Sequence, residues 1–382
     1  MRARGGGEPH RVATPLELFF DLCFVVAVAA AANSLHHALS ADHVGQALVS
    51  YPMVFFAVWW AWMNFTWFAS AYDTDDVAYR LAVLVQIAGV LILAAGIPRL
   101  FEDHDLVVVT VGYAVMRVSL AGQWLRAAYQ DPPSRRTNLH YAFGVSVCMV
   151  GWLVVLILPG GWQGAAFVVM VIAELSVPIL AERHGSTAWH PHHIAERYGL
   201  FTLIVLGESV LSATFAVSAA LDAGQELGSL AVTAGGGLLV VFSMWWVYFA
   251  APTEEPVAET GLDSFRWGYG HYFVFASAAA VGAGLAAAVD QASDADEALS
   301  HRGATAAVAV PVALYLAGIA FVRGRAQTAR QLAMLLVTAA VVLLLVVVDL
   351  GVLAIGIVLA LLVAIIVLTA TRSEWVSVED VQ

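Results

Sequence analysis

The chain is poor in charged residues, and this shortage decides the class of protein. Asp, Glu, Lys and Arg together make up 12% of its 382 residues, whereas 61% are hydrophobic. Soluble domains carry about 25% charged residues. A water-soluble fold of this composition would expose a large apolar surface. A soluble enzyme or binding domain is therefore excluded, and the lipid bilayer is the expected environment and partner.

Other absences narrow the function. The two cysteines, Cys23 and Cys148, both lie in apolar stretches, so no disulfide framework is expected. The net charge of −12 argues against capture of nucleic acid by a basic surface. The sequence also lacks a glycine-rich phosphate loop, a Gly-x-Ser-x-Gly turn and a His-Glu-x-x-His helix. We therefore predict no catalytic residues and no cofactor, and an enzyme is the less favoured class.

What the sequence does contain is long apolar segments. A spanning helix needs about 20 mostly apolar residues, and twelve segments meet this length. The predicted fold is an all-α, polytopic transmembrane helical bundle of about twelve spans. The last two are separated only by Asp349, Leu350 and Gly351, so ten or eleven spans are the alternatives. The segments lie at roughly 16–36, 47–70, 78–97, 106–126, 139–159, 163–182, 198–220, 228–251, 267–289, 304–323, 330–348 and 351–370.

The arginine distribution predicts the orientation. With the N-terminus in the cytoplasm, 14 of the 17 basic residues lie in cytoplasmic loops and helix ends. Only Arg99 and Arg302 lie in outer loops, and Arg117 lies within a span. This bias follows the positive-inside rule and predicts both termini in the cytoplasm of a cell whose inner (plasma) membrane holds the protein.

An internal repeat is predicted from the second and eighth spans. The second ends in aromatic residues, enters the acidic loop 73–76 and is followed by Arg80. The eighth also ends in aromatic residues, enters a loop with Glu254 and Glu255 and is followed by Arg266. With six spans in each copy, the two copies have the same orientation. We predict a parallel 6+6 repeat, with residues 1–182 and 183–382 as its halves.

Two carboxylates lie on one face of the first span. Glu17 and Asp21 are four residues apart, so they are neighbours on a helix and repel each other. One interpretation is a relay for protons or cations at the cytoplasmic mouth. The alternative is that Glu17 lies at the interface and that Asp21 is bonded to an arginine or to backbone amides.

Three charges are predicted at a similar depth in later spans. They are Arg117, Glu174 and Glu208. An isolated charge at that depth is costly, so Arg117 is expected to pair with Glu208 or Glu174. Because Arg117 alone cannot neutralise these acids and Asp21, the excess favours proton traffic. A structural ion pair is the alternative. Glu208 is flanked by Gly207, predicted to interrupt the helix, and by Ser209.

A polar, histidine-rich stretch precedes the seventh span. His184, His190, His192 and His193 are followed by Glu196 and Arg197. Such a set could hold zinc, but solvated or pH-sensing histidines are the favoured interpretation, and no metal site is predicted. A cytoplasmic gate is predicted from six residues of this stretch and of the loop after the second span. They are His193, Glu196, Arg197, Asp73, Asp75 and Asp76.

These motifs together resemble the bacterial low temperature requirement protein A family, and the resemblance covers nearly the whole chain. It rests on Glu17-Leu-Phe-Phe-Asp21-Leu, Tyr72-Asp73-Thr-Asp75-Asp76, Arg117, His193-x-x-Glu196-Arg197-x-Gly199 and Gly207-Glu208-Ser209. Glu174 departs from the Asp expected there but keeps the charge. The resemblance implies a bacterial multi-pass membrane protein and no particular reaction.

The favoured hypothesis is a proton-coupled secondary transporter of a small solute. Glu208 and Asp21 would carry protons, and Arg117 would be their counter-ion. The alternatives are a non-transporting membrane protein, either a lipid-linked enzyme or a structural or sensing module, and an ion channel. The solute, a small molecule or an ion, is not specified by the sequence, and a homo-oligomer is left open.

Overall fold

The computed structural model describes residues 1, 12–41, 43–185, 187–222, 224, 227–250, 262–293 and 299–379. Within these ranges the secondary structure is helical throughout and contains no strand. The helices are α1 Pro15–Ser40, α2 Val44–Tyr72, α3 Val77–Asp103, α4 Val107–Gln130, α5 Arg135–Ile157, α6 Gly160–Ala181, α7 Pro191–Asp222, α8 Leu227–Phe249, α9 Leu262–Ala292, α10 His301–Arg323, α11 Ala329–Val348 and α12 Gly351–Glu379. Short 3₁₀ turns follow α6 and α10, at Glu182–His184 and Gly324–Ala326.

All twelve helices are long and apolar enough to cross a membrane. The predicted all-α fold with twelve spans is therefore confirmed, including the last hairpin. There Asp349 adopts the left-handed conformation (φ 62°), and its N–H caps α11 by bonding the carbonyl of Leu345. Gly351 also has a positive φ of 75°. Asp and Gly tolerate this conformation, so three residues suffice to reverse the chain.

The second part of the polar stretch, from Pro191 onward, belongs to the seventh helix, which therefore begins before the predicted span 198–220. Pro191 opens α7 at a position where its missing N–H costs nothing, so the helix includes His193, Glu196 and Arg197. The helix then continues to Asp222. The prediction that Gly207 interrupts it is therefore wrong: a helix already formed on both sides tolerates one glycine, at a cost of about 1 kcal/mol.

The chain divides into two compact units. Unit 1 comprises Met1–Ala31 and Val49–Tyr198, and unit 2 comprises Ala32–Leu48 and Gly199–Gln382. The core of unit 1 is aromatic, with Trp59, Trp60 and Trp62 at most 1% exposed. The core of unit 2 is built around the alanine-rich α9. The 6+6 repeat stays a prediction, and its acidic loop at Glu254 and Glu255 lies outside the described residues.

Small residues bring helices together in both units. In unit 1, a Cβ on Gly112 of α4 would lie 2.3 Å from the backbone nitrogen of Leu93 in α3. In unit 2, a Cβ on Gly284 of α9 would lie 2.2 Å from the carbonyl oxygen of Ala307 in α10. In a bilayer, where lipid tails are as apolar as leucine, such close backbone contact is a main source of helix association.

Candidate functional site

Unit 1 contains a wholly buried cluster of charged side chains from α1 and α7. The cluster consists of two acid–base pairs. The first pair joins Glu17 and His193, both 0% exposed. The His193 Nε2 atom lies 3.1 Å from Glu17 Oε1 and 3.3 Å from Oε2. The backbone N–H of Thr14 also donates to Glu17 Oε2, at 2.8 Å. The first turn of α1 thus fixes this carboxylate, and α7 supplies the imidazole.

The second pair of the cluster joins Asp21 and Arg197, which are also 0% exposed. The Arg197 Nε donates to Asp21 Oδ2 at 3.3 Å, and its Nη2 bonds Oδ1. The Trp62 indole donates to Asp21 Oδ1 at 2.7 Å. The guanidinium also lies over the rings of Trp62 and Phe65, at 5.9 and 5.7 Å from their centroids. Asp21 is therefore bonded to an arginine, which was the alternative interpretation of this residue.

The two pairs are linked into one network. The Arg197 Nη1 lies 3.5 Å from Glu17 Oε1, so the guanidinium lies near both carboxylates. The two acids are four residues apart on α1, and the two bases are four residues apart on α7. The acid that comes first in the sequence contacts the base that comes first. The two helices therefore run in the same direction here, in register.

The position of Arg197 was not predicted. From the sequence, Arg197 is predicted in a cytoplasmic gate, and Arg117 is the one cation predicted within a span. Both arginines are buried, at 0% and 1% exposure, so the argument from a single cation is wrong for Asp21. Hydropathy marks His193 and Arg197 as a polar loop. The signal that could have found them is the matched spacing of four residues in Glu17–Asp21 and His193–Arg197.

A formal charge count shows what the cluster requires. Among these four side chains, two carboxylates contribute −2 and Arg197 contributes +1, so neutrality of the four needs one further proton, either on the His193 imidazole or on a carboxylate. Burying a net charge in a low-dielectric interior is costly.

The chain around the cluster is anchored in unit 1. The backbone N–H of Ala13 donates to the half-buried Glu196 at 3.1 Å, which holds the segment before α1 against the first turn of α7. The backbone N–H of His190 donates to Ser70 Oγ at 3.0 Å. Among the described residues, no three His, Cys, Asp or Glu side chains are arranged to hold a metal ion.

A second buried ion pair joins α4 and α6. Arg117 pairs with Glu174, which settles the choice between its two predicted partners. The Tyr113 hydroxyl donates to Glu174 Oε1 at 2.9 Å, and the Trp152 indole donates to the same oxygen at 3.2 Å. The Trp60 indole donates to Oε2 at 2.9 Å. Four donors from three other helices bond this one carboxylate, so the pair fixes four helices together.

Glu208 and its neighbours lie in unit 2. Glu208 is half-buried, and its Oε1 accepts a hydrogen bond from Ser212 one turn later, at 3.2 Å. Ser209 is buried and donates to the carbonyl of Ala278 in α9, at 2.9 Å. Gly207 has open space where a Cβ would lie. Ser209 therefore joins α7 to α9, whereas the Glu208 carboxylate accepts one hydrogen bond, from a neutral hydroxyl.

The three acids of the loop after α2 have separate surroundings. Asp73 is buried at the end of α2. Asp75 accepts two bonds from the exposed Arg80, at 2.8 and 2.7 Å. Asp76 caps α3 and accepts from Arg126 Nη1 at 2.9 Å. The bonds from Arg126 and from the backbone N–H three residues later lower the pKa of Asp76 to about 2. Two of these predicted gate residues are thus held by surface ion pairs.

Comparison with known proteins gives the family. The model of the bacterial low temperature requirement A protein (LtrA) matches residues 12–371, which include both buried ion-pair sites and all twelve spans up to residue 371. The chain belongs to the LtrA family. This LtrA protein is also 26% identical, over 277 residues, to an uncharacterized protein of Rhizobium meliloti (strain 1021). The match covers 67% of this chain and 64% of that protein, slightly under two thirds of its length. No solved structure matches it.

Proposed function

We propose that this LtrA protein is a proton-coupled secondary transporter of a small solute in the plasma membrane. The observation that supports it is the buried cluster of Glu17, Asp21, His193 and Arg197. The cluster needs one exchangeable proton to be neutral, and it joins two spanning helices. Intramembrane ionisable groups of this kind mark proton relays and substrate paths in pumps and transporters.

The proposed coupling follows from the cost of buried charge. With the proton bound, the cluster is neutral and α1 and α7 pack closely. Loss of the proton leaves a net charge of −1 in the protein interior, which costs several kcal/mol unless water or a cation reaches it. Proton release is therefore linked to opening of the contact between the two helices, and re-protonation is linked to its closure.

The residues have different roles in this proposal. Asp21 and His193 exchange the proton, Glu17 shares it, and Arg197 is the counter-ion of both carboxylates. Glu208, eleven residues after Arg197 on the same helix, is a second proton carrier because the Ser212 hydroxyl is the one polar partner of its carboxylate within the described part of the chain. Arg117 and Glu174 hold the helices of unit 1 rather than carry protons, since their carboxylate already accepts four bonds.

The proposal includes the parallel 6+6 repeat. Its support is the matched packing of the third helix on the fourth and of the ninth on the tenth, each through a glycine against backbone. In transporters with such repeats, solute sites lie near the midplane between the two halves.

The test uses proteoliposomes that contain the purified protein and an internal pH-sensitive dye. Amino acids, sugars and organic acids are added one class at a time under an imposed membrane potential. We expect one class to acidify or alkalinise the interior, and Asp21→Asn to abolish this signal. The matched control is Asp222→Asn, which removes an exposed acid outside every predicted site. Solute movement with no pH change, or with an unchanged signal in Asp21→Asn, would refute the coupling.

A structural or sensing module is the second candidate. The four donors on Glu174 favour it. Each carboxylate oxygen already accepts two hydrogen bonds from neighbouring helices, so the group holds these helices together and is not available to bind a solute. The same experiment separates the two functions. A structural protein moves no member of the panel and loses only stability when Glu174 is changed.

A further inference from the structure

Unit 1 contains an apolar pocket that is lined by none of the four charged residues of the α1–α7 cluster. It has an empty volume of about 610 Å³, including the part open to the outside, and it is lined by residues from the second to the sixth helix. Four of its lining residues are aromatic: Phe56, Tyr113, Trp152 and Phe167. No charged side chain lines it.

The four rings form a continuous wall. Phe56 meets Phe167 edge to face at 6.2 Å, Phe167 meets Trp152 at 5.2 Å, and Trp152 meets Tyr113 at 6.2 Å between ring centroids. The faces of aromatic rings carry negative charge density and attract cations within about 6 Å. Tyr113 already has such a contact on the side of Arg117, whose guanidinium carbon lies 5.4 Å from its centroid.

The polar atoms of this wall are already engaged. The Tyr113 hydroxyl and the Trp152 indole N–H both donate to Glu174. The Gln163 amide donates to the carbonyl of Leu158, at 3.3 Å. A ring that donates to a carboxylate becomes more electron-rich, because hydrogen-bonded groups polarise one another. The pocket therefore offers aromatic rings to a ligand and no charged side chain.

An acidic segment adjoins the pocket along the chain. Leu100 and Leu106 line the pocket, and the segment between them carries Glu102, Asp103 and Asp105. Glu102 and Asp103 are exposed. With the neighbouring Arg99, these three carboxylates give a net charge of −2. An acidic segment next to a pocket attracts cations and repels anions.

We propose that this pocket binds a hydrophobic organic cation, of the aryl-alkyl or quaternary ammonium class. The aromatic rings hold the cationic head, the aliphatic side chains hold the apolar body, and the acidic segment raises the local concentration of the ligand. The proposal concerns binding alone and does not depend on whether the ligand is carried or on proton coupling.

The test measures binding of radiolabelled benzyltrimethylammonium to the purified full-length protein in nonionic detergent. Its competitors are neopentylbenzene, which has the same shape with carbon in place of nitrogen, and benzenesulfonate, an anion of similar size. We expect saturable binding that is at least about tenfold tighter for the cation than for the carbon isostere. Benzenesulfonate should not compete.

Variants locate the site. Ala57→Phe, which fills the pocket, should weaken binding at least about tenfold. Phe167→Leu, which removes one ring, should weaken it severalfold, whereas Phe273→Leu in unit 2 should leave it unchanged. Neutralising Glu102 and Asp103 should weaken binding at low salt and reduce its salt dependence. Both are exposed, so this double variant keeps the fold and tests the proposal even where a core variant does not fold.

Three outcomes would overturn the proposal. Equal binding of neopentylbenzene would mean a site for apolar chains, such as lipid tails. Competition by benzenesulfonate would mean partition without charge selection. Absence of saturable cation binding would mean that the pocket has no such ligand. Because Asp21→Asn should retain the binding, failure here is distinguishable from failure of the proposed proton coupling.

Discussion

Removing Arg197 should destabilise this LtrA protein far more than removing either of its acidic partners. At 3.5 Å and an effective dielectric constant of about 20, its attraction to Glu17 alone is about 5 kcal/mol, and desolvation offsets part of this. Arg197→Met leaves two buried carboxylates facing one imidazole. Loss of one partner from a buried pair costs about 3–5 kcal/mol, so we expect that loss in the free energy of unfolding.

The matched variant is Asp21→Asn. The asparagine carbonyl still accepts from Trp62 and Arg197, and Glu17 and Arg197 then balance without an extra proton. We expect a cost of about 1–2 kcal/mol, mainly from the lost charge on a charge-assisted bond.

The double variant Asp21→Asn with Arg197→Met tests whether the two residues belong to one ion-pair network. It leaves Glu17 facing His193, which can form a neutral-overall pair once the imidazole is protonated. The double variant should therefore cost at least about 2 kcal/mol less than the sum of the single variants, a coupling typical of residues in one network. The assay is equilibrium unfolding in mixed detergent micelles. Additivity within about 0.5 kcal/mol would refute the ion-pair network.

Two further predictions concern packing and pH. Gly112→Ala should cost about 1–3 kcal/mol because its Cβ would lie 2.3 Å from the Leu93 nitrogen, whereas Gly122→Ala, with nothing within 4 Å, should be neutral or slightly stabilising in the same unfolding assay. The bonds from Arg126 hold the pKa of Asp76 at about 2, below its ordinary 3.8. The stability that these bonds add is therefore present above about pH 4 and is lost as the pH falls toward 2. The difference in melting temperature between the wild type and Asp76→Asn should stay constant from pH 8 to 5 and shrink below pH 4. A difference that changes between pH 8 and 5 would contradict this assignment.

The fold was accessible from the sequence because the bilayer imposes its thickness on every span. Hydropathy found even the short hairpin at Asp349, where three residues separate two predicted spans. It failed at the start of α7, because averaging over a window treats His193, Glu196 and Arg197 as a loop. Pro191, a frequent first residue of helices, was the local sign that the helix begins earlier.

The candidate site was only partly accessible. The acids Glu17, Asp21 and Glu174 were found because each charge is rare in an apolar segment. Their partners were harder, because pairing depends on which helices are neighbours, and the sequence does not show this. Trp60 and Trp62 illustrate the point. Tryptophans in a span predict interface anchoring, whereas both rings lie in the core and donate to buried carboxylates.

The equal spacing of acids on α1 and bases on α7 has a consequence for motion. A slide of α7 toward the start of α1 by one turn, about 5.4 Å, would bring Arg197 level with Glu17. Arg197 already lies 3.5 Å from this carboxylate. One pair would be kept while Asp21 and His193 lose their partners at opposite ends. The equal spacing thus defines two discrete pairing registers, so any sliding of the two helices would proceed in steps of one turn.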